Sequence, residues 1–484
     1  MDFDLLLAPT RMLAQVAVPD LPAGLSDYEA WLDQHGRAIS AAVDRAGTPW
    51  IKQFDRMGRR IDEIQLPAEY WTMLKMGYKA GAVWRARDGA LASAYMVGYV
   101  TSYFDLGLYC PYTVSLGTAA AVAKYAAPDV HERFMPRLMD TTDAVWQGAT
   151  WMTEARGGSD LGANVETIAQ PSGDRWLLTG DKYFCSNVGA ELAVVAARVA
   201  ARPEGAVEGV RGLALFLVPR YKDDGALNYT IRRLKDKIAT RSVPTGEVEL
   251  RGSEGYLLGE PGHGIYHILE VLNLSRVANC VACVALMQRA IADAYLFARE
   301  RVIFGKKLID QPLMRRQFEQ KMAALHGAFA LMWHSVKLAE AVWREPAPKY
   351  SERFQTFRVL LHLAKYWTAE QAVQTAKWAM EVNGGIGTLA EFGVERHLRE
   401  AMIADIWEGP PHRQILDGLE AMERKGAHRL LFAYLAPHAD AEALAEMQAR
   451  VEAQLALPQD EKEASAGDLF HDLAAFAART LTAN

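Results

Sequence analysis

Apolar residues recur at three- and four-residue spacing from Leu25 to about Ala144, as in Tyr28, Trp31 and Leu32 and in the run from Leu91 to Leu108, and this period predicts amphipathic and buried helices. Gly47, Pro49, Gly58 and Pro67 interrupt it and predict a connecting loop across residues 44–67. Between Trp146 and about Glu260 the pattern changes to short β-branched and aromatic runs separated by Gly and Pro. Residues 176–179, 192–199, 213–218, 246–250 and 256–258 read as strands, with Gly180-Asp181 as a turn, and together they suit a small antiparallel barrel. The helical period returns at Gly264 and continues to Leu419, with breaks at 305–312, 345–348, 383–387 and 409–411, which predicts four long helices packed as a bundle. The Ala-rich remainder reads as helix interrupted by Pro437 and by the acidic stretch 458–467. The expected fold is therefore mainly α with a β insert: an N-terminal helical domain (1–145), a middle antiparallel β-barrel domain (146–262), a C-terminal four-helix bundle (263–420) and a helical C-terminal extension (421–484).

Half of the 484 residues are apolar, enough for a large buried core and more than one domain. The net charge of −6 is spread over interspersed signs, which gives no electrostatic reason for tight binding to nucleic acid or an anionic membrane. The opening Met1-Asp2-Phe3-Asp4 lacks the positive end of a secretory signal, and no run reads as long enough to cross a bilayer, so a cytoplasmic location is expected. Cys110, Cys185, Cys280 and Cys283 read as reduced core residues; no second CxxC completes a zinc site, and no metal is expected.

Candidate chemistry lies in five stretches. Residues 152–160, Met-Thr-Glu-Ala-Arg-Gly-Gly-Ser-Asp, can bring backbone N–H groups and hydroxyls up to a flat polar ring or a phosphate, or can simply be a tight turn capped by Ser and Asp. In 180–187, Phe184 and Ser186 are expected on one strand face, either as an aromatic wall and a hydroxyl or as a core Phe beside a surface Ser. Residues 301–312 set Arg301 and Phe304 at a Gly-centred break, suited to a pyrophosphate and an adenine or to a basic helix end. The fourth is the loop 381–387, and the fifth is Ile403-Ala404-Asp405-Ile406-Trp407-Glu408-Gly409, where Glu408 falls at a helix-to-loop corner.

These motifs, in this order, resemble the FAD-dependent acyl-CoA dehydrogenases over about 146–419, and residues 234–242 with Phe304-Gly305 and 311–314 are most similar to the AidB-like branch. The resemblance implies that Met152, Thr153, Gly158 and Ser159 bind FAD, with Ser159 also able to reach the pantetheine. Phe184 then stands where the family usually has a Trp over the flavin, and Ser186 where it has a Thr at the ring edge. Arg301, Phe304, Gln311, Gly384 and Gly385 match contacts to the adenosine half of a neighbouring subunit's FAD, which implies a homotetramer, a dimer of dimers. Glu408 matches the base that takes the α proton of an acyl-CoA thioester while the β hydrogen leaves as hydride. Ser275 occupies the family's alternative base position, and Arg276 and Gly409 match substrate-side residues. Three departures stand out: Pro410 replaces a Thr or Ser that helps bind FAD, Gln311 is one position short, and Glu381 replaces a Gln.

The function implied is dehydrogenation of an acyl-CoA to its 2,3-enoyl form, with an electron-transfer flavoprotein as acceptor. The alternatives are a DNA-binding alkylation-stress flavoprotein with little turnover, or a flavin oxidase or monooxygenase on the same fold. After Glu420 acidic residues outnumber the basic Arg424, Lys425, Arg429, Arg450, Lys462 and Arg479, which speaks against a phosphate-neutralising stripe.

Overall fold

The computed structural model describes residues 3–15, 21–200, 209–345 and 350–482. The chain forms two compact units, one of Met1–Glu29, Asp88–Phe104 and Arg276–Asn484, the other of Ala30–Arg87 and Asp105–Ser275.

The second unit is built on strands. Trp50–Phe54 (β1) pairs antiparallel with Arg60–Gln65 (β2) inside the stretch expected to be a loop. The polar turn between them hides the alternation in the sequence: Asp55 Oδ1 accepts from the N–H groups of Met57 and Arg59 at 2.9 and 3.0 Å, closing the hairpin. The barrel itself consists of Gly148–Trp151 (β3), Ile168–Ser172 (β4), Arg175–Cys185 (β5), Leu192–Val199 (β6), Leu213–Pro219 (β7), Thr230–Leu234 (β8) and Gly246–Leu258 (β9). Its order is β3-β6-β4-β5-β9-β7; β7 pairs back onto β6 and closes the ring, while β8 lies on β9.

The barrel is mixed rather than purely antiparallel, because β6 runs parallel to both β3 and β4. A long excursion separates β3 from β6, so no tight turn forces them to reverse. No turn forms at Gly180-Asp181 either: β5 runs straight through, and a Cβ at Gly180 would meet Thr167 Oγ1 at 2.4 Å, so the strands approach closely there. The two runs read as separate strands near 250 and 256 are one strand, β9, whose register shifts against β5 beside Gly252 (φ +69°). The barrel core packs Trp151, Leu178, Phe216, Tyr229 and Ile231, all essentially inaccessible; each large side chain contributes about 1.5–3 kcal/mol by leaving water.

The first unit is helical. It contains Leu91–Phe104 (α1), the part of Gly264–Ala298 (α2) from Arg276 onward, Pro312–Trp343 (α3), Glu352–Asn383 (α4), Val394–Ile406 (α5) and Pro411–Lys425 (α6). The extension adds Ala427–Leu435, Ala441–Leu455 and Gln459–Thr482 (α7). The acidic stretch expected to break the tail instead starts α7: Asp460 and Glu461 occupy its first turn, where negative charge suits the helix dipole, and Phe470, Leu473 and Ala477 bury its apolar face. The break expected at 345–348 lies mostly outside the described residues. All four cysteines are free and buried.

Contrary to expectation, two helices among the described residues are long and apolar enough to cross a membrane, Leu106–Tyr125 and α2. Their most apolar windows are 89% and 83% buried inside the protein, as in the core helices of globular folds.

Candidate active site

Helix α5 ends at Ile406, and Trp407 is already extended, with φ −69° and ψ 161°. Glu408 follows at φ +58° and Gly409 at φ +99°; Pro410 then caps α6 with Pro411 at its first position. The left-handed conformation costs a non-glycine residue about 1–2 kcal/mol, so something must hold Glu408 there. Four buried side chains do so by reaching carbonyls at the end of α5 and in the corner just beyond it. Asn279 Nδ2 donates to the Ala404 carbonyl at 2.8 Å and Lys365 Nζ to that of Asp405 at 2.7 Å. Arg276 Nε donates to the Glu408 carbonyl at 3.2 Å, and Gln414 Nε2 donates to those of Glu408 and Gly409 at 3.0 and 2.9 Å. Gly409 is required by space as well as by φ: a Cβ there would lie 2.7 Å from Gln414 Nε2.

At this corner the Glu408 carboxylate is partly withdrawn from water. Its Oε2 is sealed from solvent with no hydrogen-bond partner among the described residues, and the indole N–H of Trp407 is in the same state. Burial raises the Glu408 pKa to about 7, and the charges of Arg276 and Lys365 pull it back from going higher. A carboxyl with an idle oxygen and a pKa near neutrality is suited to exchanging a proton with a bound molecule. Arg276 is itself buried and also pairs with Asp417 at 3.5 Å, so the structure shows it ordering the corner. Ser275, just before it, is buried and offers no carboxylate.

The other unit carries the residues expected to bind the flavin. The loop after β3 begins with buried Met152, and its Thr153 carbonyl accepts from Tyr183 N–H of β5 at 3.1 Å. The loop folds tightly on itself, since a Cβ on Gly158 would meet Thr153 Oγ1 at 2.4 Å; Ser159 is exposed beside it. Beneath lies an ion pair that sequence reasoning missed. Lys182 Nζ, fully buried, donates to Glu154 Oε1 at 2.6 Å, and Glu154 also accepts from Thr167 Oγ1 at 2.6 Å and from the N–H groups of Glu166 and Thr167. Phe184 is 54% exposed, and Lys235 Nζ sits over the neighbouring Tyr183 ring at 3.1 Å. Ser186 does not share Phe184's strand: β5 stops at Cys185, and Ser186 lies in the turn beyond, its carbonyl accepting from Trp151 Nε1 at 3.1 Å and its Oγ 3.4 Å from Thr245 Oγ1. An exposed aromatic face beside hydroxyls and a glycine loop fits a flavin ring.

In the first unit, Arg301 precedes a hairpin of Val302–Ile303 (β10) and Lys306–Lys307 (β11), with Phe304 and Gly305 at its tip in left-handed conformations, φ +50° and +75°. An aromatic is unusual at such a tip, and Phe304 is 97% exposed. Gln311 Nε2 is engaged within this element, donating to the Ile303 carbonyl at 3.1 Å. Gly384 (φ +62°) and Gly385 are exposed, with open space where a Cβ would project. Glu381 is paired with Lys377 one turn earlier, so its charge is neutralised locally.

Sequence reasoning also missed Asn279, His362, Lys365 and Gln414. A signal existed for two of them: His362 interrupts and Lys365 ends the apolar helical run 359–364, where a polar residue must find a buried partner.

Comparison with known proteins adds three family matches: the acyl-CoA dehydrogenase C-terminal domain over residues 262–423, the acyl-CoA dehydrogenase middle domain over 149–253, and the adaptive response protein AidB N-terminal domain over 10–143. The chain is 30% identical over 431 residues to AidB of Escherichia coli (strain K12), covering 84% of this chain and 76% of that one. The solved structure of Bd2924 in its apo form superposes with a TM-score of 0.85 at 28% identity, over 98% of this chain and 95% of that chain. Caenorhabditis elegans ACDH-11 in complex with C11-CoA superposes with a TM-score of 0.84 at 23% identity, over 98% of this chain and 85% of that chain.

Proposed function

The chain belongs to the acyl-CoA dehydrogenase family of FAD-dependent enzymes, in its AidB-like branch, and from that premise we propose that it converts an acyl-CoA thioester to the 2,3-enoyl-CoA with Glu408 as the base that removes the α proton. The observation that carries the proposal is the Glu408 carboxyl itself, with Oε2 sealed from water and unpartnered among the described residues and its pKa raised to about 7. FAD, when bound, supplies the acceptor for the β hydride.

An α C–H is a far weaker acid than a carboxyl of pKa 7, so the thioester oxygen must be polarised as the proton leaves; the backbone N–H of Glu408 at the corner is suited to this. Gly409 and Ser159 are each read as substrate contacts, and Arg276 keeps the corner rigid, so that the carboxylate meets the substrate without reorganising. Met152, Thr153, Gly158, Phe184 and Ser186 hold the flavin portion of the cofactor. Arg301, Phe304, Gln311, Gly384 and Gly385 serve the adenosine half in a neighbouring subunit of a homotetramer, and the open, exposed tip at Phe304 supports that reading. Electrons pass to an electron-transfer flavoprotein, the enzyme works in the cytoplasm, and its functional division follows 1–145, 146–262, 263–420 and 421–484. An acyl-CoA as substrate class is supported by the C11-CoA bound in the structurally similar ACDH-11.

The test is an anaerobic titration of the FAD-loaded protein, in the dark, against straight-chain, branched and aryl acyl-CoAs. At least one saturated thioester bleaches the flavin. A flavin that dithionite reduces but no thioester does would refute dehydrogenation.

A further inference from the structure

The base corner contains a second buried pair. His362 of α4 is inaccessible, and its Nδ1 lies 2.9 Å from Oε1 of Gln414 on α6, which is also inaccessible. Gln414 Nε2 faces two carbonyls, those of Glu408 and Gly409, so both of its N–H groups are committed and its Oε1 must accept. His362 therefore carries its proton on Nδ1. Burial first, and then the charge of Arg276, push the His362 pKa down to about 3, so the ring stays neutral and the Nδ1–H bond persists over the working pH range. The extension closes the back of this arrangement: a Cβ on Gly418 of α6 would strike the Phe470 ring of α7 at 2.5 Å and lie 3.5 Å from His362 Cβ.

We propose that His362 and Gln414 are positioning residues for Glu408: His362 fixes the orientation of the Gln414 amide, and Gln414 holds the left-handed backbone that keeps the Glu408 carboxyl in its occluded place. The inference rests on the reading of Glu408 as the base. Without the two Gln414 bonds, Glu408 can relax to a right-handed conformation and turn its carboxyl toward water. The charged groups around the corner are unchanged by such a loss: Arg276 on α2, Lys365 on α4, Asp405 on α5, and Arg413 and Asp417 on α6.

The test is pH-difference infrared spectroscopy of the FAD-loaded protein labelled with carboxyl-¹³C glutamate. The wild type shows a carboxyl band titrating near pH 7, and Glu408→Gln lacks it. His362→Leu moves the midpoint down by about one pH unit or more, toward ordinary carboxyls. His362→Asn, whose Nδ2–H can replace the Nδ1–H donor, restores the wild-type midpoint. Gln414→Met keeps the volume but lacks both donors and the acceptor, and reproduces the His362→Leu shift if that variant folds poorly. Equal midpoints in His362→Leu, Gln414→Met and the wild type overturn the proposal, whatever their stabilities. A titration that Glu408→Gln leaves in place overturns the assignment of Glu408 itself, and this proposal with it.

Discussion

Holding Glu408 in an occluded corner has a pH-dependent cost that Glu408→Gln removes. The carboxyl is raised from an ordinary 4.5 to about 7, a shift of about 2.5 units, and at about 1.36 kcal/mol per unit this is about 3 kcal/mol. Its sign follows from which state holds the proton. Below about pH 4.5 Glu408 is protonated both folded and unfolded, and wild type and variant differ only by a fixed cost of up to about 1–3 kcal/mol for burying an amide with unpaired hydrogens. Between about 4.5 and 7 the unfolded chain releases the proton while the folded one keeps it, so the wild type loses stability as pH rises. Above 7 both states are ionised and the loss is complete. The fixed cost cancels when two pH values are compared, so the melting-temperature difference, variant minus wild type, becomes more positive from pH 5 to pH 8. Part of the loss is already present at pH 5, so about 2.5 kcal/mol separates the two pH values, which for a folded unit of about 150–250 residues corresponds to about 5 °C or more. Paired thermal melts of the two FAD-loaded proteins at the two pH values measure it. A difference independent of pH, or one that grows toward acid, would refute the claim that Glu408 is buried and hard to ionise.

The Glu154–Lys182 pair breaks asymmetrically. Glu154→Gln leaves a fully buried ammonium whose other contact among the described residues is the Met152 carbonyl at 3.5 Å, and costs about 3–5 kcal/mol. Lys182→Met costs less, because Glu154 keeps the Thr167 hydroxyl and two backbone donors. Loss of FAD on gel filtration and lowered melting temperature rank the two, and equal effects would contradict the asymmetry. Phe304→Gly removes an exposed ring and suits the positive φ at the hairpin tip, so the isolated fold stays within about 1 kcal/mol of wild type while FAD affinity falls at least tenfold and the proposed tetramer weakens. Fluorescence titration with FAD and sedimentation velocity check this; unchanged values would remove Phe304 from the proposed interface.

The helix periods and the β texture of the middle region were legible because long apolar repeats and β-branched runs state their own period, and the helix breaks at Asn383–Gly387 and Gly409–Pro411 carry their own turn chemistry. The β1–β2 hairpin was not legible, since a polar turn around Asp55 and Gly58 looks like loop on either side of short strands. Nor was the parallel pairing of β6, which depends on contacts far apart in sequence. At the corner, Glu408 could be picked out by its place between a helix end and Gly409-Pro410. Its supports, Asn279, His362, Lys365 and Gln414, come from three other helices, and only packing brings them to the one corner.

The central claim is that Glu408 removes the substrate's α proton. Stopped-flow reduction of bound FAD by whichever acyl-CoA reduces the wild type, compared anaerobically with Glu408→Gln at equal FAD occupancy, tests it most directly. The variant's rate is expected to be lower by about 10²–10⁴-fold, with the flavin spectrum unchanged before mixing. A rate within a few-fold of wild type would contradict it.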